Sequence, residues 1–469
     1  MPNGLLELTR EQRQLARVLL RQRGVDPTQL PIPRRPDPSV APLSVTQQRL
    51  WMSGQVAKGL PYGNVPMGFR IHGGLDPDAL EQALSLVVAR HEILRTTFPV
   101  ENRRATQRIH PATEIAVPEE DLRSVPVSER EDALKARIVA EARRPFDPAS
   151  ETLLRATLFR LDSDDWGLVI VSNHLATDGW GARLLLDELS LAYQALGQGR
   201  QPELPPLPIQ YGDYAAWEVE RLDSGELESQ RAYWLARLAG APAQLRLPFD
   251  GAPSRSLETE SIAISLSPAL SDRVRKASRA EGVTPYITLL AAFGVLLQRQ
   301  SGQDDIVIGT IMSRRTRSET EPLIGNFGNN LLLRTRLDGD PSARDILRRT
   351  ASTVREALAN SDVSLELVAQ SASIPAFHVM FLVRDGNFEE RLTIGDAVSA
   401  IGASPRIATL DMVLDLTDGA RGINGYLEFR TARFTRERME RLASDFESVV
   451  TELTGDLHGA AEPRSAPTG

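Results

Sequence analysis

Of the six histidines in the chain, His174 stands where an imidazole could do chemistry. It closes the apolar run Trp166 to Ser172, and Asp178-Gly179-Trp180 follow after the short spacer Leu175-Ala176-Thr177. A β-branched run of this kind reads as a strand buried on both faces. Its C-terminal end delivers His174 into a loop, and Gly179 permits a tight turn into the next helix. A strand-to-helix corner holds a polar side chain on a rigid scaffold while leaving it open to a cleft. A neutral imidazole there can act as a general base or orient a nucleophile. The spacing leaves a second reading open: a satisfied, partly buried histidine, with Asp178 capping the helix that starts at Gly179.

Other catalytic templates fit less well. There is no Gly-x-Ser-x-Gly elbow, no Walker A sequence and no His-Glu-x-x-His. His72, His91, His110, His174, His378 and His458 are scattered rather than clustered as ligands, so no metal site is expected. His91 reads as a structural histidine in a charged cluster with Arg90, Glu92 and Arg95. Cysteine is absent, which removes disulfides, thiolate nucleophiles and Cys-based metal sites together and fits a reducing compartment.

The elements that must position these residues alternate between strand and helix, an α/β (α+β) pattern, from about residue 65. Met67 to Ile71 reads as a strand, and Asp76 caps a helix through Ala89 that buries Leu80, Leu84, Val87 and Val88. Leu153 to Leu161 and Trp166 to Ser172 read as strands, and Gly179 to Leu196 as a strong helix. Residues 248–257 are the best linker candidate. A second half then opens with a similar grammar: a strand from Ser261 to Leu266, helices from Pro268 to Glu281 and Pro285 to Gln300, and a strand from Asp305 to Gly309. Ahead of both halves, residues 8–24 read as a short amphipathic helix capped by Thr9 and stopped by Gly24, followed by the proline-dense, basic stretch Leu30 to Pro38. The domain expectation is an appended segment 1–40, lobes at 41–250 and 251–458, and a small, polar, disordered tail at 459–469.

With 469 residues, 41% of them hydrophobic, sizeable cores can form. A net charge of −8 with both signs interspersed argues against nucleic acid as the main partner. The N-terminus carries acid early and shows no signal peptide, and no apolar run reaches the roughly 18–20 residues of a membrane helix. The expectation is a soluble, cytoplasmic protein, monomeric, without nucleic-acid or membrane partners.

Several segments combine into something more specific. Asn173 to Trp180 (NHLATDGW) resembles the His-His-x-x-x-Asp-Gly signature of condensation domains of nonribosomal peptide synthetases. Ser44 to Trp51 (SVTQQRLW) looks like the opening motif of that family, and Arg90 to Phe98 (RHEILRTTF) is similar to its second. Tyr211 to Trp217 (YGDYAAW), Ile324 to Leu331 (IGNFGNNL) and Gly425 to Phe434 then follow in the family's order. The resemblance spans about residues 42–455.

The resemblance implies two chloramphenicol-acetyltransferase-like lobes in a V, with the active site in a tunnel between them. It implies attack by an amine, or sometimes a hydroxyl, on an acyl thioester carried by the phosphopantetheine arm of a carrier protein. No bound cofactor is expected. On this reading His174 handles the nucleophile's proton, and Gly179 lets its N–H approach a developing oxyanion. Asp178 is structural and pairs with Arg315, a pair expected to bridge the two lobes. Asn173 stands where the family has its first, structural histidine, and Asn can still donate and accept hydrogen bonds. A later family motif is eroded to Ser361-Asp-Val-Ser-Leu-Glu366, and the Asn-Thr of the second-lobe motif is Asn329-Asn330. Both departures leave the acceptor open: amine or alcohol, tethered to a carrier protein or free. Asp-Gly-Trp argues against epimerisation domains, and the histidine motif against heterocyclisation domains.

The N-terminal segment resembles docking segments, including the β-hairpin docking type, that bind an upstream acyl or peptidyl carrier protein. Arg34 and Arg35 are the expected docking cations, with Arg21 and Arg23 beside them. Two other functions fit the same resemblance: a non-catalytic module that recruits a partner enzyme, and an acyltransferase using free coenzyme A. Met1 and the absence of adenylation and carrier-protein motifs fit a free-standing or N-terminal condensation enzyme, and an excised piece of a longer chain fits them as well.

Overall fold

The apolar run before His174 forms the middle of a sheet. The computed structural model describes residues 30–101, 104–251, 256–369, 377–385, 391–420 and 422–459. Its strands are, in chain order, β1 (Val40–Pro42), β2 (Asn64–His72), β3 (Thr96–Thr97), β4 (Val100–Glu101), β5 (Arg104–Ile109), β6 (Glu119–Asp121), β7 (Leu154–Arg160), β8 (Asp165–Asn173), β9 (Thr259–Ser265), β10 (Asp305–Ser313), β11 (Gly328–Arg336), β12 (Val379–Asp385), β13 (Ala397–Ile401), β14 (Met412–Gly419) and β15 (Gly422–Arg430). The helices that matter most here are α1 (Val45–Val56), α2 (Pro77–Arg90), α3 (Arg130–Arg143), α4 (Gly179–Gly197) and α5 (Tyr211–Asp223). The expected mixed helix-and-sheet class is the one found. The expected helix over residues 8–24 lies outside the described residues.

The chain divides into two compact units. The first holds the sheet β13-β2-β8-β7-β6, in which β8 pairs antiparallel with both β2 and β7. The sequence predicts β8 to be buried on both faces, and it is. Leu168 and Ile170 pack with Leu84 and Val87 of α2 and Leu185 and Leu189 of α4. Val169 and Val171 pack with Leu134 and Ile138 of α3. Each buried aliphatic side chain contributes roughly 1.5–3 kcal/mol, more than the roughly 1–2 kcal/mol of backbone entropy lost per fixed residue. The strand is therefore a firm platform for whatever its C-terminal end carries. Asp76 caps α2 as predicted, accepting from Asp78 and Ala79 N–H at 3.0 and 3.1 Å.

The second unit holds the sheet β11-β10-β12-β14-β15-β9. Its rings stack into a core, Phe293 against Phe381 at 5.7 Å and Phe446 edge-on to Phe293 at 6.3 Å. The division between the units does not follow chain order. The first unit ends at Glu226 rather than near residue 250, and it takes back residues 315–328 and the described residues 391–405. The physical reason is apolar burial and sheet pairing. Leu323, Ile324, Phe327, Leu392 and Ile394 belong to the first unit's core. β13 pairs with the edge strand β2, Ala397 opposite His72 and Ile401 opposite Gly68.

The described part of the N-terminal segment is integral to the first unit rather than appended to it. Ile32 is fully buried in the core. Arg317 donates to the Leu30 carbonyl at 2.7 Å. Arg34 donates to the carbonyls of Pro208 at 3.0 and 3.1 Å and of Leu207 at 3.5 Å. Arg35, expected as a docking cation, is instead enclosed: its guanidinium meets Asp213 at 2.8 Å and Glu92 at 2.5 Å, with 6% of its side chain exposed. Two carboxylates leave it no charge to offer an acidic partner. Arg35→Ala would leave both acids without their cation, and removing one member of a buried pair costs about 3–5 kcal/mol. Urea unfolding should show a loss of that order in the first unit's transition. A variant as stable as wild type would show that the pair is idle.

Candidate active site

β8 ends at Asn173, paired with Asn64 of β2, and the chain turns at once. The His174 N–H donates to the Gly63 carbonyl at 2.7 Å. Ala176 and Thr177 N–H both donate to the Asn173 carbonyl, at 2.8 and 3.0 Å. Asn173, Leu175, Ala176 and Thr177 are buried, whereas His174 is exposed. The turn is thus a packed object that presents one imidazole outward. His174 Nδ1 lies 3.1 Å from the Thr177 carbonyl. A carbonyl only accepts, so Nδ1 carries the proton of the neutral ring and the basic lone pair sits on Nε2.

Asn173 takes over the turn-shaping role. Its Nδ2 donates to the Tyr62 carbonyl at 3.0 Å, and its Oδ1 accepts from the Leu175 N–H at 3.0 Å. The side chain is 5% exposed, so these are buried bonds that fix the backbone on both sides of His174.

Asp178 combines the two roles that the sequence held as alternatives. Its Oδ1 accepts from the Gly181 N–H at 2.7 Å, as N-cap of α4, and from Arg315 Nη2 at 3.3 Å. Its Oδ2 accepts from the Phe327 N–H at 3.0 Å. Arg315 also donates to the carbonyls of Thr320, Leu323 and Gly325 and lies over the Phe327 ring at 3.9 Å. Burial lowers the affinity of the Arg315 guanidinium for its proton, and Asp178 opposes that shift. The expectation that this pair bridges two lobes is corrected: both residues lie in the first unit, because residues 315–328 return to it.

Gly179 is the first residue of α4, and its φ is not positive, so it makes no left-handed turn of the kind predicted. Its significance is positional. The first N–H groups of a helix have no partner within it, and they carry the positive end of the helix dipole. Trp180 beside it is half exposed, its Nε1–H held by the Glu321 carbonyl at 2.9 Å.

Segments far apart in sequence converge on this turn. From α1, Gln47 Nε2 donates to the Leu175 carbonyl at 2.9 Å, and Thr46 Oγ1 donates to the Gly328 carbonyl at 2.7 Å. From α5, the Tyr211 hydroxyl donates to the Asn326 carbonyl at 2.6 Å and lies 2.9 Å from Ser44 Oγ. Gly325 is required there, since a Cβ would fall 2.0 Å from the Tyr211 ring. Asn326 Nδ2 donates to the His174 carbonyl at 2.8 Å. His91 is structural, as expected, but its partner is Glu188 of α4, 2.8 Å from Nε2, while Nδ1 accepts from the Ile324 N–H at 3.3 Å. Gln47, Glu188 and Asn326 were missed as site residues, because no local spacing marks a polar residue that bonds a backbone carbonyl far along the chain. In the second unit, Asn329 Nδ2 donates to the carbonyls of Ser361 and Val363 at 2.7 and 2.8 Å, tying together the two altered motifs. Among the described residues no group of His, Asp and Glu could hold a metal ion.

The comparisons with known proteins agree with this geometry. The family model described as "Condensation domain" matches residues 38–462. A linear gramicidin synthase of Brevibacillus parabrevis is 36% identical over 431 residues, 89% of this chain and 8% of that protein. Phosphinothricin tripeptide synthetase PhsC of Streptomyces viridochromogenes is 36% identical over 444 residues, 92% of this chain and 41% of that protein. The chain thus spans well under half the length of either relative. Among solved structures, the X-domain from teicoplanin biosynthesis aligns with a TM-score of 0.81 at 28% identity, covering 91% of this chain and 97% of that one. The same X-domain in complex with OxyB aligns with a TM-score of 0.80, covering 91% and 96%.

The web around Asp178 generates a test. Asp178→Asn keeps an acceptor for Gly181 but strands Arg315 and turns an NH₂ group toward the Phe327 N–H. The expected outcome is a loss of about 3 kcal/mol or more in chemical unfolding, with any residual activity keeping the wild-type pH profile. A fully stable variant with a displaced pH optimum would assign Asp178 to the chemistry instead.

Proposed function

The chain belongs to the condensation-domain family, and on that premise we propose that it catalyses acyl transfer from a phosphopantetheine thioester on a carrier protein to an amine or alcohol. The observation that carries the reading is His174, exposed on a buried turn with its Nδ1 proton engaged by the Thr177 carbonyl. Nε2 accepts the proton of the incoming amine as its nitrogen attacks the thioester carbonyl. A C–N bond forms, the C–S bond breaks, and the thiolate leaves as thiol with the proton His174 returns. Proton handling of this kind contributes roughly 10²–10⁴-fold. Most of the remaining acceleration comes from holding two reactants together.

Gly179 at the head of α4 offers its N–H to the developing oxyanion. Arg315 has a part in that as well. Asp178 puts a negative charge beside the helix N-terminus, and the Arg315 cation offsets it, so the terminus keeps its attraction for an anion. The chain holds no cysteine, so no thiol of its own competes as an acyl acceptor. Carrier proteins are the proposed partners on the donor side and, for a tethered acceptor, on the acceptor side. The cytoplasm is the proposed location.

A second reading has an observation of its own. The X-domain likeness, including the complex with OxyB, supports a module that recruits a partner enzyme. Against it stands the retained and oriented His174. Intact-protein mass spectrometry of an acyl-loaded carrier protein, with amine and alcohol acceptors added, separates the two. Donor loss with product formation is expected in wild type, falling by at least about 10²-fold in His174→Ala. Turnover unaffected by that substitution would sink the mechanism, and no turnover with any donor would favour recruitment.

Residues 1–29 are proposed to dock the upstream carrier protein. Because the strap from residue 30 onward is built into the first unit, truncation should stop at residue 29 to spare the fold. That truncation is expected to raise KM for the cognate carrier thioester while leaving small thioester mimics unaffected. Equal losses with both donors would refute the docking role.

A further inference from the structure

We infer that Asn326 is a positioning residue for His174, the second half of an asparagine clamp that holds the catalytic turn from both sides. The inference rests on the reading of His174 as the proton-handling residue. Asn173 fixes the turn from within, through the Tyr62 carbonyl and the Leu175 N–H. Asn326 fixes it from outside, because its Nδ2 donates to the carbonyl oxygen of His174 itself at 2.8 Å. The Asn326 side chain is constrained at its other end as well. Its Oδ1 accepts from the Gly328 N–H at 2.9 Å, and its own carbonyl accepts from the Tyr211 hydroxyl at 2.6 Å. At 6% exposure the amide is shielded from water that could substitute for these bonds.

The consequence is mechanical. The peptide plane after His174 is pinned by Asn326, and the plane before it by the Gly63 carbonyl. The imidazole itself is held within the turn, through Thr177. Rotating the His174 carbonyl therefore moves the ring relative to any thioester, without touching the Nδ1 hydrogen bond. Misplacement by about 1 Å costs up to roughly 10²-fold in rate, so the clamp acts on kcat and not on donor binding.

Asn326→Asp is isosteric and tests this directly. The ionised carboxylate keeps the bond from Gly328 but repels the His174 carbonyl, whereas the protonated acid donates to that carbonyl as the amide does. Burial against a carbonyl raises the acid's pKa above its usual range. The ionisable groups around this position are His174 and Asp178 on the turn, Arg315 on the returning segment and Tyr211 of α5. All are present in wild type, so they cancel in the ratio of variant to wild-type kcat. The expected result is a kcat reduced about 10- to 100-fold at pH 8, with KM for the carrier thioester within about threefold, and a variant-to-wild-type ratio that climbs several-fold toward pH 5.5.

Asn326→Ala, which introduces no charge, should show the same kcat loss with a ratio flat in pH, and it decides the question if the aspartate variant does not fold. A wild-type kcat in the alanine variant, a loss expressed only in KM, or a folded aspartate variant whose ratio ignores pH would each overturn the inference. His174→Ala is assayed alongside. If it keeps turnover, the reading of His174 fails first. If it is inactive while both Asn326 variants match wild type, only the positioning role fails.

Discussion

One carboxylate, that of Asp178, meets three donors of different origin: the Gly181 N–H, the Phe327 N–H and the Arg315 guanidinium. The first bond starts α4, the second holds the returning segment against the turn, and the third supplies the counter-charge that lets a carboxylate sit at a half-buried helix terminus. These demands share one side chain. The direction of α4, the shape of the His174 turn and the seat of residues 315–328 are therefore not independent. Shifting any one of them pulls on the others through the same two oxygens.

That coupling accounts for the discontinuous first unit. Asp178 and Arg315 are 137 residues apart, and Asp178 and Phe327 149. Closing loops of that length costs little more entropy than closing shorter ones, since the cost grows only with the logarithm of length. It still needs contacts that repay it. Phe327 and Ile324 provide them by burial in the first unit's core, and His91 adds a polar tie by accepting from the Ile324 N–H. The chain leaves the second unit to complete the first because the turn beside His174 would otherwise lack its outer wall.

The scaffold does not by itself decide what the protein does. It is shared by peptide synthetases and by an X-domain seen in complex with OxyB. What weighs in the balance is local. Every neighbour of His174 in the turn from Asn173 to Thr177 is buried, and His174 alone is exposed, its tautomer set by a backbone carbonyl. Exposing an imidazole on so tightly bonded a turn brings no stability. It is intelligible as an arrangement that keeps one nitrogen basic and in place.

Much of this was legible in the amino-acid order. The two-sided burial of β8 followed from its apolar run, and the caps Asp76 and Asp178 from residue type next to helical periodicity. The motif order pointed to His174, Asp178 and Arg315 together. Such features depend on neighbours a few residues apart, so local physics suffices to read them. Tertiary structure alone decided the rest. It put Arg315 in the same unit as Asp178 rather than across from it, and it enclosed Arg35 between Glu92 and Asp213, which a basic run of residues had made look available. It also brought Gln47, Glu188 and Asn326 to the turn. A hydrogen bond to a distant carbonyl depends on where the whole chain has been packed, and no spacing along the sequence records that.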